Sequence, residues 1–153
     1  MQYWLMKSEP DEVSIDDALA APGQCVAWTG VRNYQARNFM RDQMKVGDGI
    51  LFYHSSCAQP GIAGIAEVAS TAYPDPTQFD PGSPYHDPAA RPEQPRWLLV
   101  DVRALRKTRL LTLAELRQQP DLADMVILRR GNRLSITPVT RQQWDKLMKL
   151  AGD

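Results

Sequence analysis

The sequence predicts an α+β domain built on a curved or barrel-like sheet, and three observations predict it. Short apolar runs of strand composition recur between turn signals. The helical patterns are few, brief and individually capped. Strand and helix alternate too irregularly for a doubly wound parallel sheet, and no glycine-rich phosphate loop follows any strand.

A length of 153 residues suits one domain, 1–153, able to bury a core without disulfide or metal staples. Lys and Arg total 18 against 18 Asp and Glu, which excludes a wholesale nucleic-acid coat protein and makes any anion site local. Cys25 and Cys57 stand alone, and with His54 and His86 they lack the spacing of a tetrahedral zinc site, so no metal or cofactor is expected. No signal peptide and no bilayer-spanning run is apparent; the expectation is a cytoplasmic monomer that meets no membrane.

In chain order, Tyr3–Lys7 reads as a strand ended by Pro10, and Ser14 with Asp17 forms a capping box that opens a short helix stopping by Pro22 and Gly23. Asn33 caps a helix running to about Gln43, with Ala36, Phe39, Met40, Gln43 and Met44 on a core-facing stripe. Arg37, Arg41 and Lys45, four residues apart, line up as a basic row beside it. Ile50–His54 is a buried strand, and it pairs antiparallel with Ile62–Val68, where Gly64 permits a bulge or a close backbone approach.

The prolines from Pro74 to Pro95 predict a long ordered excursion pinned by Tyr73, Phe79 and Tyr85. Arg96–Arg106 reads as a strand with a bulge, and Thr112 with Glu115 opens a brief helix. Val126–Leu128 and Leu134–Ile136 read as a strand–turn–strand around Arg129, Arg130 and Arg133. Thr140 and Gln143 cap a closing helix with Trp144, Leu147, Met148 and Ala151 on one face.

One stretch combines a loop, a helix start and unusual side chains: Trp28, then Gly30 to Arg41. Gly30 permits a backbone conformation closed to other residues. If Asn33 caps, the free N–H groups of the first turn and Arg32 make a donor-rich end suited to a phosphate or a polar base edge.

Longer motifs carry a resemblance: Trp4-Leu-Met-Lys-Ser-Glu-Pro10, Trp28 with Gly30-Val-Arg-Asn-Tyr-Gln-Ala-Arg-Asn-Phe39, Phe52-Tyr-His-Ser55, Gly61-Ile-Ala-Gly64, Ala72 to Phe79 and Val100-Asp-Val102. The chain resembles the EVE-domain family from about Trp4 to the C-terminal helix. The resemblance implies a PUA-like fold, a curved β-barrel of about five to six strands with peripheral helices. It also implies kinship with modules that hold a modified base in an aromatic-lined pocket, with recognition of modified cytosine in DNA for the eukaryotic relatives. The leading expectation is a non-catalytic reader of a modified base, either methylated or hydroxymethylated cytosine in DNA or a modified RNA base. Thr29 and His86 depart from the pattern of the close relative.

A base reader must unstack its base, sandwich it on an aromatic and hydrogen-bond its edge. Trp28 is either that stacking surface or a core tryptophan. Lys7 and Ser8 would donate to carbonyls or phosphate, and Glu9 would accept an exocyclic amine or merely cap a turn. Arg32 and Asn33 would present edge and backbone contacts, although an Asn33 spent on capping cannot also read a base. His54 and Ser55 would line the same cavity, Val31 would meet a cytosine methyl, and Arg37, Arg41, Arg129, Arg130 and Arg133 would track phosphates. Two rivals remain: an enzyme using His54 with Ser55 or Cys57, and a sensor of free nucleosides.

Overall fold

In the computed structural model, which describes residues 1–152, strand alternation sorts side chains onto two faces of one sheet. Along β1 (Tyr3–Ser8), Trp4 and Met6 enter one buried cluster while Leu5 enters the other. The same split places Ile50 and Phe52 opposite Leu51 and Tyr53 in β3 (Gly49–His54). Side-chain period two thus builds two cores from one sheet. The remaining strands are β2 (Cys25–Ala27), β4 (Gly61–Val68), β7 (Asp101–Thr112) and β8 (Ile136–Val139), with β5 (Tyr73–Pro74) and β6 (Leu98–Leu99) paired separately.

The six-stranded sheet runs β2-β7-β4-β3-β1-β8. Its strand number meets the expectation of a curved, barrel-like sheet, but the barrel is not closed: among the described residues no ladder joins β2 to β8. Pro138 fits because β8 is an edge, where a missing N–H costs nothing. Among the described residues only β1 and β3 are parallel neighbours, with Ser8 opposite His54, so both strands leave the sheet at the same end. That shared exit positions the site.

Helix α1 (Ile15–Ala20) has the full capping box of Ser14 and Asp17, and α4 (Arg141–Leu150) has that of Thr140 and Gln143. For α3 (Leu113–Arg117) the Thr112 hydroxyl caps Glu115 N–H, while the Glu115 carboxylate turns instead to Arg109. Asn33 caps α2 (Tyr34–Asn38), as expected. Beyond it the helix changes: Phe39–Gln43 winds as a π turn closed by Met44 N–H to the Phe39 carbonyl at 2.9 Å. Arg37 therefore lies in α2, Arg41 in the π turn and Lys45 beyond the extended Met44, so the three do not share one regular α-helix.

Two further expectations fail. Val126–Leu128 is a single 3₁₀ turn that buries Ile127 in the second core, not a strand, and β8 begins only at Ile136. Conversely, β7 continues six residues past Arg106, because Lys107, Leu111 and Thr112 pair along β4 with Gly64, Ile62 and Gly61. The excursion between β5 and β6 is ordered, as predicted. Gln78, fully buried, donates to the carbonyls of Asp75 and Trp97 and accepts from the N–H groups of Arg96 and Trp97.

Gly64 sits at a register shift between β3 and β4 and lets α1 approach: an added Cβ would lie 2.5 Å from Ile15 Cδ1 and 2.8 Å from the Arg106 carbonyl. Gly64→Ala is therefore expected to destabilise the fold by about 2 kcal/mol through overpacking, read as a lowered denaturant midpoint. An unchanged midpoint would contradict that packing.

Candidate functional site

The ends of β1 and β3 open into a cavity of ≈740 Å³, which is within the size range of small-ligand pockets. Lys7 and Ser8 line it from β1, Glu9 from the residue after it, and Ser55 and Ser56 from just beyond β3. The Ser55 N–H donates to the Ser8 carbonyl at 2.9 Å and ties the two exits together. Across the opening stand Val26 and Ala27 of β2, then Trp28 to Val31, while Arg133 and Ser135 arrive from the segment before β8. The cavity thus occupies the seam between opposite edges of the open sheet, where a closed barrel would have paired its strands.

Lys7 carries the clearest electrostatic signature. Burial pushes its ammonium pKa down, and among the described residues its Nζ makes no hydrogen bond or ion pair. A half-buried cation without a partner is costly unless a ligand supplies acceptors. Hydroxyls of Ser55, Ser56 and Ser135 surround the same space. Ser56 adopts φ +53°, an uncommon backbone conformation for a non-glycine residue.

The far wall is built by long-range contacts. Gly30, at φ +87°, lies flat against the Tyr85 ring; a Cβ there would sit 2.7 Å from it. The Tyr85 hydroxyl donates to Glu12 in a short hydrogen bond, and burial together with that carboxylate pushes the phenol up to about 12. Behind this wall Asp75, fully buried, accepts from Gly30 N–H, Thr77 N–H, the Thr77 hydroxyl and Arg32. Burial opposes the charge on Asp75, but these hydrogen bonds outweigh it and hold the carboxyl below its usual range.

A family model for the EVE domain matches residues 2–150. The chain belongs to the EVE-domain family. It is similar to human thymocyte nuclear protein 1, with 43% identity over 97% of this chain and 73% of the relative. A crystal structure from Pseudomonas putida is 51% identical with TM-score 0.92, covering 97% of this chain and 99% of that one. Human THYN1 protein, solved in complex with 5-methylcytosine-containing DNA, is 42% identical with TM-score 0.91, covering 100% and 99%. An ASCH protein variant from Zymomonas mobilis shares the fold at TM-score 0.58, with 9% identity over 99% of this chain and 100% of that one.

In this EVE domain the sequence-predicted residues divide. Lys7, Ser8, Glu9, Trp28, Gly30, Val31, Ser55 and Arg133 come together around the cavity. Trp28 joins both of its readings: it is 7% exposed and packs edge-on to Phe52 in the core, yet contributes to the cavity wall. Arg32 does not line it. Its guanidinium makes five hydrogen bonds, to the Val31 and Tyr85 carbonyls, Asp75 and Thr77, which occupy all its donors in a structural clasp. Asn33 spends its Oδ1 on the Ala36 N–H and lies outside the cavity, so its side-chain oxygen is committed to the cap.

His54 is likewise corrected from ligand to scaffold, because its Nε2 accepts from the Ile15 N–H at 3.1 Å and anchors the start of α1. Arg37 bonds Asn38 and the Arg96 carbonyl, Arg41 pairs with Asp42, and the exposed Arg129 and Arg130 do not reach the cavity. Glu12, Tyr85 and Ser135 join the wall without having been singled out as site residues. Tyr85 is brought there by the excursion, and a lone tyrosine among prolines carries no local mark of that destination. The serines closing β1 and following β3 were the one available signal for Ser56.

His54 also has a pH consequence. Burial lowers its pKa, so the folded state prefers the neutral ring that accepts from Ile15. Its contribution is present above the unfolded value near 6.5 and is lost as pH falls through the lower folded value. Thermal midpoints should therefore fall on acidification below pH ~6.5, and His54→Gln should flatten that slope. An identical slope in the variant would refute this role.

Proposed function

We propose that this EVE domain is a non-catalytic reader of a modified nucleobase, with 5-methylcytosine in DNA as the first candidate. The base would leave its stack and enter the cavity at the ends of β1 and β3. The observation that carries the reading is the unpartnered, half-buried Lys7 ammonium inside a nucleoside-sized cavity, in a chain 42% identical to a protein solved with 5-methylcytosine-containing DNA. Lys7 and the serine hydroxyls would serve acceptors on the base edge, Glu9 an exocyclic amine, and Val31 the methyl group. Trp28 and Tyr85 would offer ring surface at the walls.

Fluorescence-anisotropy titration with paired oligonucleotides, identical except for one 5-methylcytosine, tests the reading. Tighter binding of the modified strand is expected; equal weak binding of both would sink it. A modified RNA base poses the same chemistry, and a matched RNA pair assigns the nucleic acid. A free-nucleoside sensor would instead gain thermal stability from the nucleoside without any phosphate chain. The enzymatic alternative finds less support, because His54 accepts from the Ile15 N–H at its Nε2 and does not line the cavity. The expected cytoplasmic monomer belongs to the same proposal, and no helix among the described residues is long and apolar enough to cross a membrane.

A further inference from the structure

A second cavity, ≈450 Å³, lies beside the first and differs from it in charge. Lys7 and Arg133 in the first cavity are balanced by Glu9 and Glu12. The second is lined by Arg37, Arg91 and Arg96 with Tyr34, and no carboxylate contributes to its wall. In a chain of zero formal charge, three guanidinium groups around one hollow are a local concentration of positive potential.

The groups at its rim have donors to spare. Tyr34 is 50% exposed, and its hydroxyl makes no hydrogen bond among the described residues. The Arg91 guanidinium makes no hydrogen bond or ion pair there either. Arg96 has one carboxylate nearby, Asp87 at 3.6 Å, which is itself committed to the Trp97 indole N–H at 2.8 Å. Arg37 is fixed by Asn38 and the Arg96 carbonyl and lies over Tyr34 with 4.8 Å from carbon to ring centre. The floor is rigid, because Tyr34 stacks on the buried Trp97 at 4.7 Å.

One clasp separates the two cavities. The Arg32 guanidinium lies 5.6 Å from the centre of Tyr85, a wall of the first, and 5.5 Å from that of Trp97, beneath the second. Excursion residues shape both. The geometry points to the second cavity as a binding site for the phosphodiester backbone of the strand whose modified base occupies the first, with phosphate oxygens taken by Arg91, Arg96 and the Tyr34 hydroxyl. This assignment rests on the proposed base-reading function and adds a division of labour: base recognition where charges balance, backbone capture where they do not.

Titration of one duplex, with and without a single 5-methylcytosine, over a salt series tests it on wild type, Arg91→Gln/Arg96→Gln and Tyr34→Phe. The double variant should bind the modified duplex about tenfold more weakly at low salt, with the slope of log K against log salt reduced by about 0.9 per phosphate lost. Tyr34→Phe should weaken binding by a smaller factor, and both variants should keep the wild-type ratio of modified to unmodified affinity. Wild-type affinity and slope in the double variant would overturn the backbone site while leaving base reading intact. Equal affinity for the two duplexes that still depends on Arg91 and Arg96 would overturn base reading and leave the backbone site standing. No binding of either duplex by the wild type would overturn both.

Discussion

Replacing Asp75 with alanine is expected to lower the unfolding free energy by about 3 kcal/mol, the low end for removing one partner of a buried pair. The low end applies because Arg32 keeps partial contact with solvent. The loss extends beyond one ion pair, since Gly30 N–H and both donors of Thr77 are left without their acceptor. Calorimetry should show a thermal midpoint lower by about 6–12 °C for a domain of this size. Asp75→Asn should lose less, because a neutral amide oxygen still accepts. The sign with pH follows from the depressed carboxyl: its contribution is complete above the ordinary carboxylate range and vanishes as pH falls through the lower folded value. Asp75→Ala should therefore lack that part of the acid limb, and a variant as stable as wild type would contradict the clasp.

Replacing Lys7 with methionine should have the opposite balance of effects. Loss of a charge-assisted hydrogen bond to a ligand is worth about 1.5–3 kcal/mol, roughly ten- to hundredfold in affinity for the modified oligonucleotide. Stability should hold or rise, because burial disfavours the Lys7 charge and no protein group among the described residues compensates it. Such a pairing of gained stability with lost binding marks a residue kept for its ligand. A scaffold lysine would behave otherwise: Lys7→Met would lose stability and leave affinity unchanged.

Short-range chemistry decided which features were legible in the sequence. Ser14, Asn33, Thr112 and Thr140 announced helix starts because a cap acts within three residues. Gly64 announced close packing, and the residues closing β1 and β3 fell in one place because both strands are short, apolar and sharply ended. The losses came where partners lie far apart. Arg32 looked like a free donor beside a helix start, and its acceptors on Asp75, Thr77 and Tyr85 sit 43 to 53 residues away. His54 looked like a site residue for the same reason, its partner being Ile15. Val126–Leu128 has strand composition, yet burying Ile127 in a tight turn satisfies the core better than another ladder. The π turn after Asn38 has no composition signal, and it interrupts the regular helix on which simple spacing drew the basic row.

The most direct measurement is a ¹H–¹⁵N correlation spectrum of the labelled protein, recorded while adding an oligonucleotide that carries one 5-methylcytosine. The largest shifts should fall on Lys7, Ser8, Gly30, Val31, Ser55 and Ser56, where two parallel strands end opposite the Trp28 loop. Shifts confined to other surfaces, with those six amides unmoved at saturation, would contradict it.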